Sequence, residues 1–302
     1  MKTKRLTSIL VLILVATLTY GQDYAFKVMA NKGSNEVKSG DTWQPLKTGA
    51  SLKSTDELKL VDNAYIGLIH ASGKPLEMRQ SGNFKVADLA AKVGGGTSVL
   101  NKYTDFILSS NAESKKNKLS ATGAVHRATG TYAINLHLPD NQKSAVYNTS
   151  VTITWDTEVA GPYIVTVSNM ASDALASFEV EGKSVVIDLK DPKYKFNTPG
   201  DPFSAGLMVQ IKAKADDKKV SKEHMIRALS PKDAEKFKQT LDPVMGEIGN
   251  DQTAINMYYM AGFYEQNNLL IDALAAYEAA VKLEPSYQEF YDDFLLRNNL
   301  KK

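Results

Sequence analysis

A chain of 302 residues with 43% hydrophobic and 23% charged side chains is enough for two or three globular domains. Its 36 Lys and Arg stand against 34 Asp and Glu, so it lacks the basic surplus that gripping nucleic-acid phosphates requires. Cysteine is absent, which excludes disulfides, thiolate metal sites, cysteine nucleophiles and a lipid anchor attached through cysteine.

Residues 1–21 read as a secretory signal. Lys2, Lys4 and Arg5 precede the apolar run "SILVLILVATLTY", and small residues at Thr19 and Gly21 mark cleavage before Gln22. The run is short for a spanning helix, which needs about 20 apolar residues, and no later segment is long and apolar enough to span a bilayer. The expected location is periplasmic or extracellular, as a soluble protein of a Gram-negative envelope. A chain without disulfides must then rely on core packing.

Residues 24–93 form the first expected domain. From Lys59 to Val86, short apolar runs ("LKLV", "AYIGLIH", "PLEMR", "FKV") alternate with turn signals ("DN", "ASGK", "QSGN"), the spacing of an antiparallel meander. Upstream, Gly40 and Gly49 bracket Trp43 and Leu46. With Leu52, Gly73 and Leu76 these residues resemble the FecR-type periplasmic domain, although "STDEL" stands where that family usually has a Gly-Asp pair. The resemblance implies an antiparallel β module outside the cytoplasmic membrane. It does not carry over the iron-uptake signalling role of some members, which need a membrane helix that this sequence does not display.

Residues 94–120 read as a hinge at Gly94–Gly96, a helix in "TSVLNKYTDFILSS" with Val99, Tyr103, Phe106 and Ile107 on one face, and a basic linker in "NAESKKNK". Residues 121–229 read as a second β region, starting near Gly123. Val151, Ile153 and Trp155 alternate in "SVTITW", and Tyr163, Val165 and Val167 do so in "YIVTV". "ASFEVEGKSVVIDL" reads as a hairpin around Glu181–Gly182, and "GLMVQIKAKA" and "HMIRAL" supply two more strands. About seven short strands fit a two-sheet sandwich. A strand ending in Trp155, then a strand opening with Tyr163, is similar to the start of a fibronectin type III domain, in which Trp155 would pack the core.

Helices occupy 230–302. Ser230 is placed as an N-cap with Pro231 in the first turn. Ala234, Phe237, Leu241 and Met245 form a stripe, with Pro243 kinking or dividing the helix. Two apolar-striped segments follow, joined at Asn267–Asn268. One carries Ala254, Met257, Tyr258, Ala261 and Tyr264; the other carries Leu270, Ala273, Leu274, Tyr277, Ala280 and Val281. Tyr264, Ala273, Tyr277, Ala280 and Pro285 hold the type and spacing of a tetratricopeptide repeat, which this unit closely resembles; Met257, Met260 and Ala261 fit its earlier positions more loosely. One unit cannot bury both its apolar sides, so the helices before it and a capping segment with Tyr287, Phe290, Tyr291, Phe294 and Leu295 are expected to close it. The resemblance implies a partner groove lined by Ile255, Tyr258, Gly262, Glu265 and Gln266. Of these Tyr258, Glu265 and Gln266 are the candidate protein-binding residues, and the basic side chains of carboxylate-clamping versions are missing. A docking or capping role without a peptide stays open beside the groove.

Catalytic and metal motifs are sparse. His70, His126, His137 and His224 form no helical ligand pair. "EGKS" at Glu181–Ser184 lacks the upstream glycine of a phosphate-binding loop. The doublets Asp216–Asp217 and Asp292–Asp293 are placed in a turn and on a helix surface, and Asn148 opens an "NTS" triplet. No catalytic residue, metal or cofactor is assigned. The expectation is a multidomain α+β protein with an N-terminal antiparallel β module, an immunoglobulin- or fibronectin-like β-sandwich and a C-terminal antiparallel, tetratricopeptide-like helical bundle. Its expected role is an exported, non-enzymatic scaffold that binds protein partners and not nucleic acid. Two other readings stand beside it: an envelope sensor holding a small molecule or carbohydrate in the FecR-like module, and an enzyme with a dispersed carboxylate site.

Overall fold

The computed structural model describes residues 24–96, 98–109 and 132–301. The leader of residues 1–21, the stretch "NAESKKNK", the expected start of the second β region near Gly123, and His126 lie outside the described residues. The protein is mixed α+β, with antiparallel sheets and a helical C-terminal region, and it divides into two compact units, one ending at Ser98 and the other beginning at Val99.

The first unit holds β1 (Phe26–Lys32), β2 (Glu36–Ser39), β3 (Thr42–Pro45), β4 (Ser51–Leu52), β5 (Glu57–Leu60), β6 (Tyr65–His70), β7 (Pro75–Met78), β8 (Gly82–Lys85) and helix α1 (Val86–Val93). These strands make two four-stranded antiparallel sheets, ordered β4-β1-β6-β7 and β3-β2-β5-β8. The expected meander is therefore corrected. Only β6 and β7 pair as sequence neighbours within that run, while β5 lies between β2 and β8. The strand β1, which the alternation did not mark, is central to its sheet. Its register shifts between Val28 and Ala30, and such a bulge breaks the two-residue period by placing Val28, Met29 and Ala30 all inside. Asp56, from "STDEL", is buried and accepts the Lys53 N–H at 2.8 Å and the Ser39 hydroxyl at 2.9 Å, tying the turn before β5 to the end of β2.

The second unit opens with helix α2 over residues 101–109. There follow β9 (Asn135–Leu136), β10 (Ala145–Val146), β11 (Ser150–Asp156), β12 (Tyr163–Asn169), β13 (Ala174–Val180), β14 (Ser184–Asp188), β15 (Gly206–Ala213) and β16 (His224–Ala228). The strands form sheets ordered β10-β16-β15-β12-β13 and β14-β11-β9. Val151, Ile153 and Trp155 from the smaller sheet share one core with Val165, Val167, Val209 and Ile211 from the larger. Trp155 is buried with its ring edge-on to Tyr163 at 5.4 Å. The hairpin expected around Glu181–Gly182 is an arch instead. β13 pairs with β12, and β14 crosses to the other sheet to pair with β11. Alternation and a Gly turn specify two strands and a reversal, but both a hairpin and an arch meet that description.

The helices are α3 (Pro231–Ile248), α4 (Ala254–Gln266), α5 (Leu270–Leu283) and α6 (Gln288–Arg297). Ser230 caps α3, its hydroxyl accepting the Asp233 N–H at 3.1 Å. Pro243 neither divides nor ends α3, which continues to Ile248 with Phe237, Leu241 and Val244 as its buried residues. Helix α4 is buried nearly all round, leaving no polar face. The reason lies in α2: Tyr103 meets Phe263 edge-on at 4.8 Å, the Tyr259 hydroxyl donates to the Leu100 carbonyl at 2.6 Å, and Ile107 sits over Gly262. The sequence divides the second β region from the helices at residues 229/230, and reads 94–120 as hinge, helix and linker; the helix is present over 101–109. The structure joins all three in one unit, since α4 and α5 have no solvent-facing side large enough to stand alone.

Gly262 supplies a test. A Cβ there would lie 2.5 Å from Ile107 Cγ1. In a free helix Gly→Ala stabilises by roughly 1 kcal/mol, but here overpacking costs about 1–3 kcal/mol. Gly262→Ala should lower stability in urea unfolding, and should cost less in an Ile107→Ala background. A Gly262→Ala stabilising by the full free-helix amount, roughly 1 kcal/mol, would mean that α2 does not lie on α4.

Candidate functional site

The polar groups of the second unit concentrate where its β region meets its helices. Asp272, in the first turn of α5, is 2% exposed. Its two carboxylate oxygens accept the backbone N–H groups of Tyr147 at 2.9 Å and Asn148 at 2.8 Å. The Asn148 side-chain amide donates in turn to the Tyr264 hydroxyl at 3.2 Å. Burial pushes Asp272 up to about 6, against the downward pull of those N–H bonds, and pushes Tyr264 up to about 12. The carboxylate thus satisfies two backbone donors between β10 and β11 that no neighbouring strand takes.

A second network runs deeper. The Asp156 carboxylate lies 3.0 Å from His137 Nε2, His137 Nδ1 lies 3.0 Å from the Thr154 hydroxyl, and that hydroxyl lies 3.1 Å from the Tyr291 hydroxyl on α6. Tyr291 donates to Glu278 on α5 at 3.3 Å. Burial raises Glu278 to about 7 and raises Tyr291 well above the usual phenol range. Acid, imidazole and hydroxyl stand in the order of a nucleophilic triad, but with the accessibility reversed. In such a triad the acid is buried and the hydroxyl faces substrate. Here the Asp156 side chain is half exposed and Thr154 is buried behind Tyr291. The arrangement pins α6 to β11 and offers no attacking oxygen.

Beside the Asp272 contact lies an open cleft of about 580 Å³, lined by residues 146–149, 189–192, 195–198, Leu229 and the first turn of α3 at Ala234. Its lining is apolar at Pro192, Phe196 and Leu229 and polar at Lys190, Lys195, Asn197 and Thr198. Among the described residues Lys190 and Lys195 make no ion pair, whereas Asp191 is held by Lys193 at 2.7 Å. Lys195 and Asn197 stand at φ +47° and +53°, so the lining there follows a tight backbone path.

Of the three candidate groove residues, Tyr258 and Glu265 lie in the interior. Tyr258 is 1% exposed and packs on Tyr287 and Phe290, with ring centroids 5.1 and 5.0 Å away. Glu265 is buried and takes both guanidinium contacts of Arg297 at 2.6 Å, with Asn298 at 2.7 Å and Tyr277 at 3.2 Å. Burial raises Tyr277 well above the usual phenol range. Gln266 alone is exposed. The chain's own α6 fills the face that an array would offer a partner. Asp293 is also buried, rather than lying on the helix surface. Asp272 was missed, although a lone acid within "LLIDALAAY" was its available signal. The partners of Glu265 could not be read from spacing, because Arg297 comes from a different helix.

Among the described residues no group of three or more His, Cys, Asp or Glu side chains is arranged to hold a metal ion, and no helix is long and apolar enough to cross a membrane. No protein-family model matches the chain, and no curated protein matches its sequence.

The raised acids fix a direction with pH. Glu278 goes from an ordinary 4.5 to about 7 in the folded chain, so as pH rises the unfolded chain loses this proton first and folded stability falls across that interval. Glu278→Gln keeps an acceptor for Tyr291 and removes the titration. It should be stabilising by on the order of 1–2 kcal/mol near pH 8, after discounting for partial exposure, and close to neutral near pH 5. Urea unfolding at both pH values checks this; an equal effect at both would contradict it.

Proposed function

We propose that this protein is an exported, non-enzymatic interaction scaffold of a bacterial envelope. Its first unit would be a FecR-like β module, and its second a fibronectin-like sandwich fused to a tetratricopeptide-like helical pair. The observation that carries the reading is the cleft of about 580 Å³ between the 146–149 and 189–198 loops and the start of α3. Clefts of a few hundred Å³, formed where layers meet and lined by apolar floor and a few polar groups, are the usual sites of recognition. The helical pair supports it from beneath: Asp272 and Tyr264 hold the 147–148 backbone in place, so the repeat-like helices present the site instead of forming it. Lys190 and Lys195 favour an acidic, extended segment of a protein partner. The leader at residues 1–21 supplies the address.

A photo-crosslinking residue placed at Thr198 in intact cells should give a discrete protein adduct. Lys190→Glu with Lys195→Glu should abolish that adduct, while Lys218→Glu with Lys219→Glu, in the turn before Val220, should leave it. Absence of any adduct, or one indifferent to the cleft reversal, would refute the cleft as the binding surface.

A further inference from the structure

The outward faces of sheets covered on one side carry polar residues. The five-stranded sheet follows this at Thr166, Gln210 and Lys212, whose neighbours Val165, Val167, Val209 and Ile211 point into the core. At one end the rule fails. Met208 on β15 stands directly opposite Met225 on β16 and is also paired with Ser168 on β12. Met170 follows β12 in the next turn, its N–H donating to the Phe203 carbonyl at 3.2 Å. Three of the nine methionines of the chain thus converge on one outer corner.

Gly206 makes room for them. It lies two residues before Met208 on the same face of β15, and the point where a Cβ would stand is 3.4 Å from Met170 Sδ and 3.5 Å from Met225 Cγ. Both side chains therefore close over the bare glycine. Met208 joins them across the Met208–Met225 pair, where facing Cβ atoms are about 5 Å apart. The corner is open to solvent: Met170 is 42% exposed and the adjoining Phe203 53%.

We propose that Met170, Met208 and Met225 form a binding site for a cuprous ion. Thioether sulfur is a soft, neutral donor, and soft donors select Cu(I) over Mg²⁺, Ca²⁺ or Mn²⁺, which demand oxygen. The strand residues flanking the three are Thr166, Gln210 and Arg227, and none is an anionic oxygen donor for a hard cation. Unbranched methionine side chains with three rotatable bonds can bring their sulfurs onto one ion without moving the strands. The site is independent of the cleft and of the scaffold reading.

The test is titration of the full-length chain with Cu(I), kept reduced by ascorbate, in competition with a chromophoric cuprous chelator. One equivalent should leave the chelator for the protein. The triple variant Met170→Leu, Met208→Leu, Met225→Leu preserves side-chain volume, so its circular dichroism should match the parent. Its Cu(I) affinity should fall by on the order of tenfold or more, while Met78→Leu with Met245→Leu should change nothing. Copper X-ray absorption on the loaded parent should show sulfur neighbours. No transfer from the chelator, equal binding by a folded triple variant, or a first shell of nitrogen and oxygen only would each overturn the proposal.

Discussion

One buried carboxylate organises the second unit. Asp272 starts a helix, yet it faces neither solvent nor a basic side chain; it accepts two backbone N–H groups from the chain between β10 and β11. An ionised carboxylate is expensive to bury, and its upward shift to about 6 is the mark of that cost. What offsets the burial is that Tyr147 and Asn148 would otherwise leave two half-buried donors without protein partners. Because both acceptor and donors depend on the contact, neither the β region nor the helices can move away without exposing an unsatisfied group.

The rest of the helical region follows from this docking. With Ile271 in the sandwich core, α5 is committed on one side, and α4 must find cover for the others. Helix α2 covers Tyr259, Gly262 and Phe263, and α6 covers Tyr258 and Glu265. The α4–α5 pair thus gains its cover from unlike neighbours: the β region, α2, α6 and, through Phe237 against Phe263 and Tyr264, α3. The Glu265–Arg297 pair closes the stack with a bidentate contact, and such pairs hold orientation as well as charge. The buried aromatic rings of Tyr258, Tyr277, Tyr287 and Phe294 fill the interior between α4, α5 and α6.

Legibility in the sequence tracked how local the determining physics is. The α4–α5 turn at Asn267–Asn268 was readable because Asn268 tolerates its φ of +58°, and the Ser230 cap because it is contained in the consecutive residues Ser230 to Asp233. The five apolar residues from Tyr287 to Leu295 were readable from periodicity, and Trp155 from its alternation with Val151 and Ile153 together with the fibronectin resemblance. The strand β1 was not, since its bulge erased the period. Neither was the arch between β13 and β14, because partner choice is settled by contacts distant in sequence. For the candidate site the same division holds. Tyr258 and Glu265 stand out on one helix in the sequence, with a groove and a packing role both open; their burial depends on α6. The cleft was not legible at all, since its walls come from four separated stretches.

Exposure, more than residue type, then separates groups that hold the structure from groups free to recognise something. Asp156, His137 and Thr154 have the identities of a catalytic relay, but the hydroxyl is the buried end and the carboxylate the open one, so proton transfer along it would lead away from any substrate. Asp272, Glu278 and Glu265 are acidic and perturbed or paired, yet each is spent on a neighbour within the fold. The side chains left with unfilled capacity are of another kind: the Lys190 and Lys195 ammonium groups lining a cleft, and the Met170 and Met225 side chains over Gly206. Charge satisfied inside the fold and cationic groups left at its surface follow from one rule: a polar group keeps free capacity only where no neighbouring element covers it.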